Sequence, residues 1–216
     1  MTLPLPAGLF APRVLPVVVL ERAADALPLV DALAEGGLTA VEITLRTPAA
    51  LDGIRAIRSG RPEVTVGAGT VLDPSVVPEL SDLGVGFAVA PGLSPTVVEA
   101  TQAAGMPLFA GVTSPTEIEQ ARSFGLEVLK FFPAEPLGGA RMLKALIGPY
   151  GHTGLRFIPT GGIDLERAAT YAPLDAVAAI GGSWFVGRGP IREQRWAEIT
   201  AATRQAIATM NAEPRA

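Results

Sequence analysis

The sequence predicts a mixed α/β chain folded as a single (β/α)8 barrel over residues 1–216, with a short leader at 1–13 and a frayed tail at 211–216. Three observations carry that prediction. β-rich runs recur along the whole chain, their starts roughly 20–28 residues apart, which is the length of one β-loop-α-loop unit. Amphipathic or Ala-rich segments alternate with them, and no linker-like stretch separates one group of units from another. The same alternation permits an open doubly wound sheet, but eight strands without a clear dinucleotide fingerprint favour the closed TIM-type barrel.

The strands are expected at 14–20, 40–45, 64–68, 86–90, 107–110, 127–132, 155–159 and 176–180. Helices are expected between them at 23–34, 48–58, 74–83, 95–104, 115–123, 140–147 and 165–169, with a last helix at 192–208 closing the structure. Four helices open on Thr47-Pro48, Asp73-Pro74, Ser94-Pro95 and Ser114-Pro115. Proline at the first helical position loses no hydrogen bond, and the hydroxyl or carboxylate before it can cap orphan N–H groups. Gly36-Gly37, Gly84 and Gly105 sit where helices should stop.

Charged residues make up 18% of the chain and apolar ones 49%, so a sizeable core is available. A net charge of -4 without a basic cluster argues against a nucleic-acid surface. Cysteine is absent, which removes thiolate catalysis, disulfides and Cys-based zinc sites together. The start Met1-Thr2-Leu3-Pro4-Leu5-Pro6 is broken by prolines and lacks a basic n-region, and no apolar run reaches a membrane span. The expectation is a soluble cytoplasmic protein.

Lys130 is one of two lysines, against fifteen arginines, and stands inside the apolar run Val128-Leu129-Lys130-Phe131-Phe132-Pro133. Burial disfavours the ammonium and lowers a lysine pKa from about 10.4. A neutral amine in an apolar pocket is suited to attack a ketone and form a Schiff base. The run by itself is equally compatible with an edge-strand lysine whose ammonium snorkels out between phenylalanines. In Ala40-Val41-Glu42-Ile43-Thr44-Leu45-Arg46 the period of two places Glu42, Thr44 and Arg46 on one face and Val41, Ile43 and Leu45 on the other. The apolar face belongs under the outer helices, which turns the polar set inward. A Glu42–Arg46 ion pair that only fixes register is the competing reading.

Gly67-Ala68-Gly69-Thr70 ends the third strand without the third fingerprint glycine, and reads as a close approach of backbone to a small ligand or as a plain turn. Thr160-Gly161-Gly162 and Gly181-Gly182-Ser183 follow strands seven and eight, the usual phosphate cradle of such barrels. His152 is the single histidine, in a glycine-flanked loop, with no metal partners near it in sequence. Trp184 and Trp196 read as packing residues, and Lys144 as solvated.

Taken in order, Glu42-Ile43-Thr44-Leu45-Arg46-Thr47, Gly67-Ala68-Gly69-Thr70-Val71, Lys130-Phe131-Phe132-Pro133-Ala134-Glu135, Pro159-Thr160-Gly161-Gly162-Ile163 and Ile180-Gly181-Gly182-Ser183-Trp184 resemble the KDPG aldolase family. These are 2-dehydro-3-deoxy-phosphogluconate aldolases, also called 4-hydroxy-2-oxoglutarate aldolases. The resemblance runs from about Val14 to the final helix. It implies a class I lyase on a homotrimeric barrel with neither metal nor cofactor, acting on a phosphorylated 2-keto-3-deoxy sugar acid and on pyruvate. It implies Lys130 as the Schiff-base lysine and Glu42 as the general acid/base. Arg46 and Thr70 correspond to contacts with the pyruvate carboxylate, and Pro91 and Phe132 to pocket lining. Thr160, Gly161, Gly162, Gly181, Gly182 and Ser183 correspond to the phosphate region. One departure is Ala90-Pro91-Gly92, where serine commonly precedes the proline.

The implied reaction cleaves 2-dehydro-3-deoxy-6-phosphogluconate to pyruvate and glyceraldehyde 3-phosphate, and extends to 4-hydroxy-2-oxoglutarate, which gives pyruvate and glyoxylate. The competing readings are a sister aldolase for the galactonate epimer or for unphosphorylated 4-hydroxy-2-oxoglutarate, a barrel phosphosugar isomerase or epimerase without a covalent intermediate, and a non-catalytic trimeric scaffold or phosphometabolite-binding module.

Overall fold

The computed structural model describes residues 3–212. Met1, Thr2 and positions 213–216 lie outside the described residues, and with them most of the expected frayed tail. The elements run β1 (Val14–Val18), α1 (Ala26–Glu35), β2 (Ala40–Thr44), α2 (Ala50–Gly60), β3 (Thr65–Gly69), α3 (Val77–Asp82), β4 (Phe87–Val89), α4 (Pro95–Ala103), β5 (Leu108–Phe109) and β6 (Gly111–Val112). They continue with α5 (Pro115–Ser123), β7 (Val128–Phe131), α6 (Gly139–Tyr150), β8 (Arg156–Pro159), α7 (Leu165–Tyr171), β9 (Ile180–Gly182), α8 (Arg188–Arg192) and α9 (Trp196–Met210). Every strand pairing is parallel. The pairs form a six-stranded sheet in the order β5-β4-β3-β2-β1-β9 and a three-stranded sheet in the order β6-β7-β8.

Two strand expectations change. The fifth strand is broken at Ala110, where the chain changes partners. Leu108 and Phe109 pair with Ala88 and Val89, whereas Gly111 and Val112 pair with Lys130 and Phe131. The eighth strand lies at Ile180–Gly182 rather than at 176–180, because its start and its end pair with different neighbours. The Phe157 N–H donates to Ala176 and the Ala178 N–H to Phe157, while Ile180 to Gly182 stand opposite Val14 to Pro16.

The alternation of each strand sorts its side chains into two apolar groups. Val14, Val41, Ile43, Val66 and Ala88 join the large cluster beneath the helices. Leu15, Phe87, Val89, Phe109, Val128 and Ile158 form a smaller cluster on the other face. Leu9 and Phe10 of the leader pack against that smaller cluster, with the Phe10 and Phe109 ring centroids 5.6 Å apart. The leader is therefore a short cap, turned by hydrogen bonds such as Leu9 N–H to Pro6 and Ala11 N–H to Gly8. Full burial of a phenylalanine such as Phe87 is worth about 1.5–3 kcal/mol as an upper figure.

The four expected caps divide. Ser114 forms a full capping box with Glu117, and Asp73 accepts from the Ser75 N–H at 2.8 Å. Ser94 makes no cap, since its hydroxyl meets Thr96 Oγ1 at 3.0 Å instead. Thr47 does not cap either: α2 begins later, at Ala50, and the Thr47 hydroxyl donates to the Leu20 carbonyl at 2.5 Å. That bond ties the chain after β2 to the chain after β1. Among the described residues no helix is long and apolar enough to cross a membrane.

Candidate active site

Because all strands run the same way, their C-terminal ends gather on one side of the sheets. A cavity of about 220 Å³ opens there, lined from β1, β2, β7, β9 and the segments that follow β2, β3, β4, β7 and β8. At its floor Lys130 is 6% exposed and Glu42 is 1% exposed. Their charged atoms, Nζ and Oε1, are 3.6 Å apart. The snorkelling alternative for Lys130 is thus replaced by an inward side chain, with its ammonium 5.2 Å from the Phe132 ring centroid.

Parallel register produces this meeting. Glu42 stands opposite Val17 on β1 and Gly67 on β3, while Lys130 stands opposite Gly111 on β6 and Ile158 on β8. Two glycines make the space. A Cβ at Gly69 would lie 2.2 Å from Glu42 Oε1, and one at Gly111 would lie 2.0 Å from the Pro91 carbonyl oxygen. The missing side chains let the carboxylate and the loop after β4 approach the amine.

Glu42 Oε1 is buried and makes no hydrogen bond among the described residues. Loss of hydration raises the Glu42 pKa above the ordinary carboxylate value, with the nearby Lys130 charge pulling the other way. A carboxyl so placed can hold or release a proton at Oε1, the oxygen that faces the Lys130 amine.

Arg46 lines the same cavity but is exposed at its mouth, beyond the end of β2. The competing Glu42–Arg46 ion pair is not formed: Glu42 has Lys130, and among the described residues Arg46 has no carboxylate partner. Thr44 shares the inward face with Glu42, as the period of two requires, and its hydroxyl donates to the Val18 carbonyl at 2.8 Å. That donation leaves the oxygen lone pairs for the cavity. Thr70 also lines it, with φ at +60°, a left-handed conformation that costs a non-glycine residue about 1–3 kcal/mol.

Pro91, Phe132, Thr160, Gly161, Gly162, Gly181 and Ser183 all border the cavity as expected. Gly182 does not. Its place in β9 turns it toward Trp184, whose ring a Cβ would meet at 1.9 Å, so it serves packing. Gly181 is needed on the cavity side, since a Cβ there would meet Thr160 Oγ1 at 2.2 Å. Val17, Val19 and Ile163 are lining residues that sequence reasoning passed over. The alternation Val17, Val19 was a usable signal, but a β-branched pair looks the same on either face of a strand. Trp184 packs edge-on to Phe185 at 4.9 Å, and Lys144 is exposed on α6. His152 is exposed in the turn Gly151–Thr153.

The family model described as KDPG and KHG aldolase matches residues 7–202. The 2-dehydro-3-deoxy-phosphogluconate aldolase of Haemophilus influenzae is 43% identical over 195 residues, covering 90% of this chain and 91% of that one. The KHG/KDPG aldolase of Escherichia coli K12 is 40% identical over 194 residues, covering 90% of each. Among solved structures, the KDPG aldolase of Legionella pneumophila, with pyruvate captured as a covalent carbinolamine, superposes with a TM-score of 0.87 at 37% identity. It covers 92% of this chain and 96% of that one. A family model that spans residues 7–202, together with relatives 40–43% identical over 90% of the sequence, leads to one conclusion: this chain belongs to the KDPG and KHG aldolase family.

Proposed function

We propose that the chain is a class I aldolase that cleaves 2-dehydro-3-deoxy-6-phosphogluconate to pyruvate and glyceraldehyde 3-phosphate, with Lys130 as nucleophile and Glu42 as general acid/base. The observation that carries this reading is the buried Lys130–Glu42 pair, 3.6 Å apart at the floor of the cavity. The Lys130 amine adds to the C2 ketone to give a carbinolamine, and loss of water gives an iminium. Glu42 takes the C4 hydroxyl proton as the C3–C4 bond breaks, and its electrons move into the iminium to leave an enamine. Glyceraldehyde 3-phosphate departs. Protonation of the enamine at C3 and hydrolysis then release pyruvate and restore the amine.

Arg46, exposed at the mouth and without a carboxylate partner among the described residues, is the cation for the substrate carboxylate, with Thr70 beside it. Backbone N–H groups around Gly161, Gly162 and Ser183 receive the phosphate. The relative named KHG/KDPG aldolase supports adding 4-hydroxy-2-oxoglutarate, cleaved to pyruvate and glyoxylate, as a second substrate.

The same proposal takes residues 1–216 as a single domain whose two sheets form one closed (β/α)8 barrel. Supporting it are the single-residue break at Ala110 and the bridges Phe157–Val177 and Thr160–Gly181 between the β8 and β9 segments. A cytoplasmic homotrimer follows from the family resemblance, and sedimentation velocity tests the trimer. The chemistry is tested by borohydride reduction in the presence of pyruvate, followed by intact-mass measurement and peptide mapping. One adduct per chain on Lys130, absent from Lys130→Ala, is expected. Full trapping by Lys130→Ala would reject the assignment, and absence of any adduct in the wild type would favour an isomerase or epimerase without a covalent intermediate.

A further inference from the structure

The motif Lys130-Phe131-Phe132-Pro133-Ala134-Glu135 ends on a carboxylate that the reaction above does not use. We propose that Glu135, held by Tyr171, is a positioning residue that sets the Gly161-Gly162 loop for an anionic substrate group and so favours phosphorylated over unphosphorylated substrates. This rests on the reading that the substrate phosphate lies against that loop.

The geometry begins with the backbone. The Ala134 N–H donates to the Thr160 carbonyl at 2.8 Å, and the Glu135 N–H donates to the Gly161 carbonyl at 3.0 Å. In a planar trans peptide the carbonyl and the following N–H point in opposite directions. Turning the Thr160 and Gly161 carbonyls back onto the 134–135 segment therefore turns the Gly161 and Gly162 N–H groups the other way, toward the cavity both residues line. The two glycines accept this only in left-handed conformations, with φ at +105° and +76°. Consecutive N–H groups presented in this way make an anion-binding concavity.

The Glu135 side chain holds the arrangement from behind. A Cβ at Gly162 would lie 2.9 Å from Glu135 Cβ, so the side chain passes directly beneath the loop. Its carboxylate accepts from the Tyr171 hydroxyl at 2.5 Å and lies 3.4 Å from the Arg167 guanidinium. Tyr171 and Arg167 belong to α7, which begins just after the loop, and Arg167 also pairs with Asp164, the residue that caps that helix. Glu135 thus grips the loop by its backbone and the helix beyond the loop by its carboxylate. Tyr171 is fully buried, whereas Arg167 is half-exposed, so the tyrosine contact should carry most of the hold.

The experiment measures kcat and KM for 2-dehydro-3-deoxy-6-phosphogluconate and for 4-hydroxy-2-oxoglutarate, with inhibition by inorganic phosphate, in wild type, Glu135→Ala, Glu135→Gln and Tyr171→Phe. Glu135→Ala should raise KM for the phosphorylated substrate and Ki for phosphate about tenfold, the size of one lost hydrogen bond to a charged group. Values for 4-hydroxy-2-oxoglutarate and the borohydride-trapped pyruvate yield should move far less. Tyr171→Phe keeps the ring that fills the core and should shift the same parameters in the same direction. Glu135→Gln, which still accepts from Tyr171, should recover most of the loss. A parallel fall for both substrates, or none for either, overturns the positioning role. Phosphate that competes in the wild type and equally in the variants overturns that role alone. Phosphate that fails to compete in the wild type overturns the phosphate reading and this inference together.

Discussion

Gly69 exists where it does for the sake of Glu42. The ideal Cβ position on Gly69 is 2.2 Å from Glu42 Oε1 and 2.8 Å from its Cγ and Cδ, so strand β3 yields the space that the carboxylate of strand β2 occupies beside Lys130. Gly69→Ala should displace the carboxylate and lower kcat about 100-fold, as a misplacement of about 1 Å does elsewhere. Steady-state kinetics with the phosphorylated substrate check this. The overpacking should also cost about 1–3 kcal/mol of stability.

Glu42→Gln keeps the volume of the side chain and removes its capacity to take a proton. Carbon–carbon cleavage should slow by about 10²–10⁴, with KM changed far less. Single-turnover measurements under saturating substrate separate the two effects. An unchanged kcat would exclude Glu42 as the acid/base.

The raised Glu42 pKa has a sign for stability. Burial penalises the charged carboxylate, so the folded state holds this proton more tightly than the unfolded state, whose ordinary value is 4.5. The stability contributed by the neutral form is complete below that value and is lost as pH rises through the folded pKa. Urea unfolding across that range should therefore show the wild type losing stability relative to Glu42→Gln with rising pH. The opposite slope would mean that the Lys130 charge outweighs desolvation.

Two serines that look alike in sequence should behave differently. Ser114 caps α5, and Glu117 accepts from the Thr113 and Ser114 N–H groups at 2.7 and 2.9 Å. Although burial alone would raise the Glu117 pKa, these bonds and those of the two hydroxyls hold it below its ordinary value. Ser94 precedes a proline in the same way but makes no cap. Ser114→Ala should cost about 1 kcal/mol and Ser94→Ala only a few tenths, by thermal or urea denaturation.

The local period of the chain was enough to determine the alternation of strands and helices and the inward face bearing Glu42 and Thr44, and five short motifs in order carried the resemblance to a family. Such features depend on residues within a few positions of one another, where spacing alone decides which side chains share a face. Partners are set by register between distant strands, and register is not written in any one of them. Only the folded molecule decided that Glu42 meets Lys130 rather than Arg46, and that the fifth strand changes neighbours at Ala110. The same holds for Gly182, which turns to Trp184 and away from the cavity, and for Glu135, which reaches α7 through Tyr171. Each of those outcomes depends on how closely two separate pieces of backbone approach.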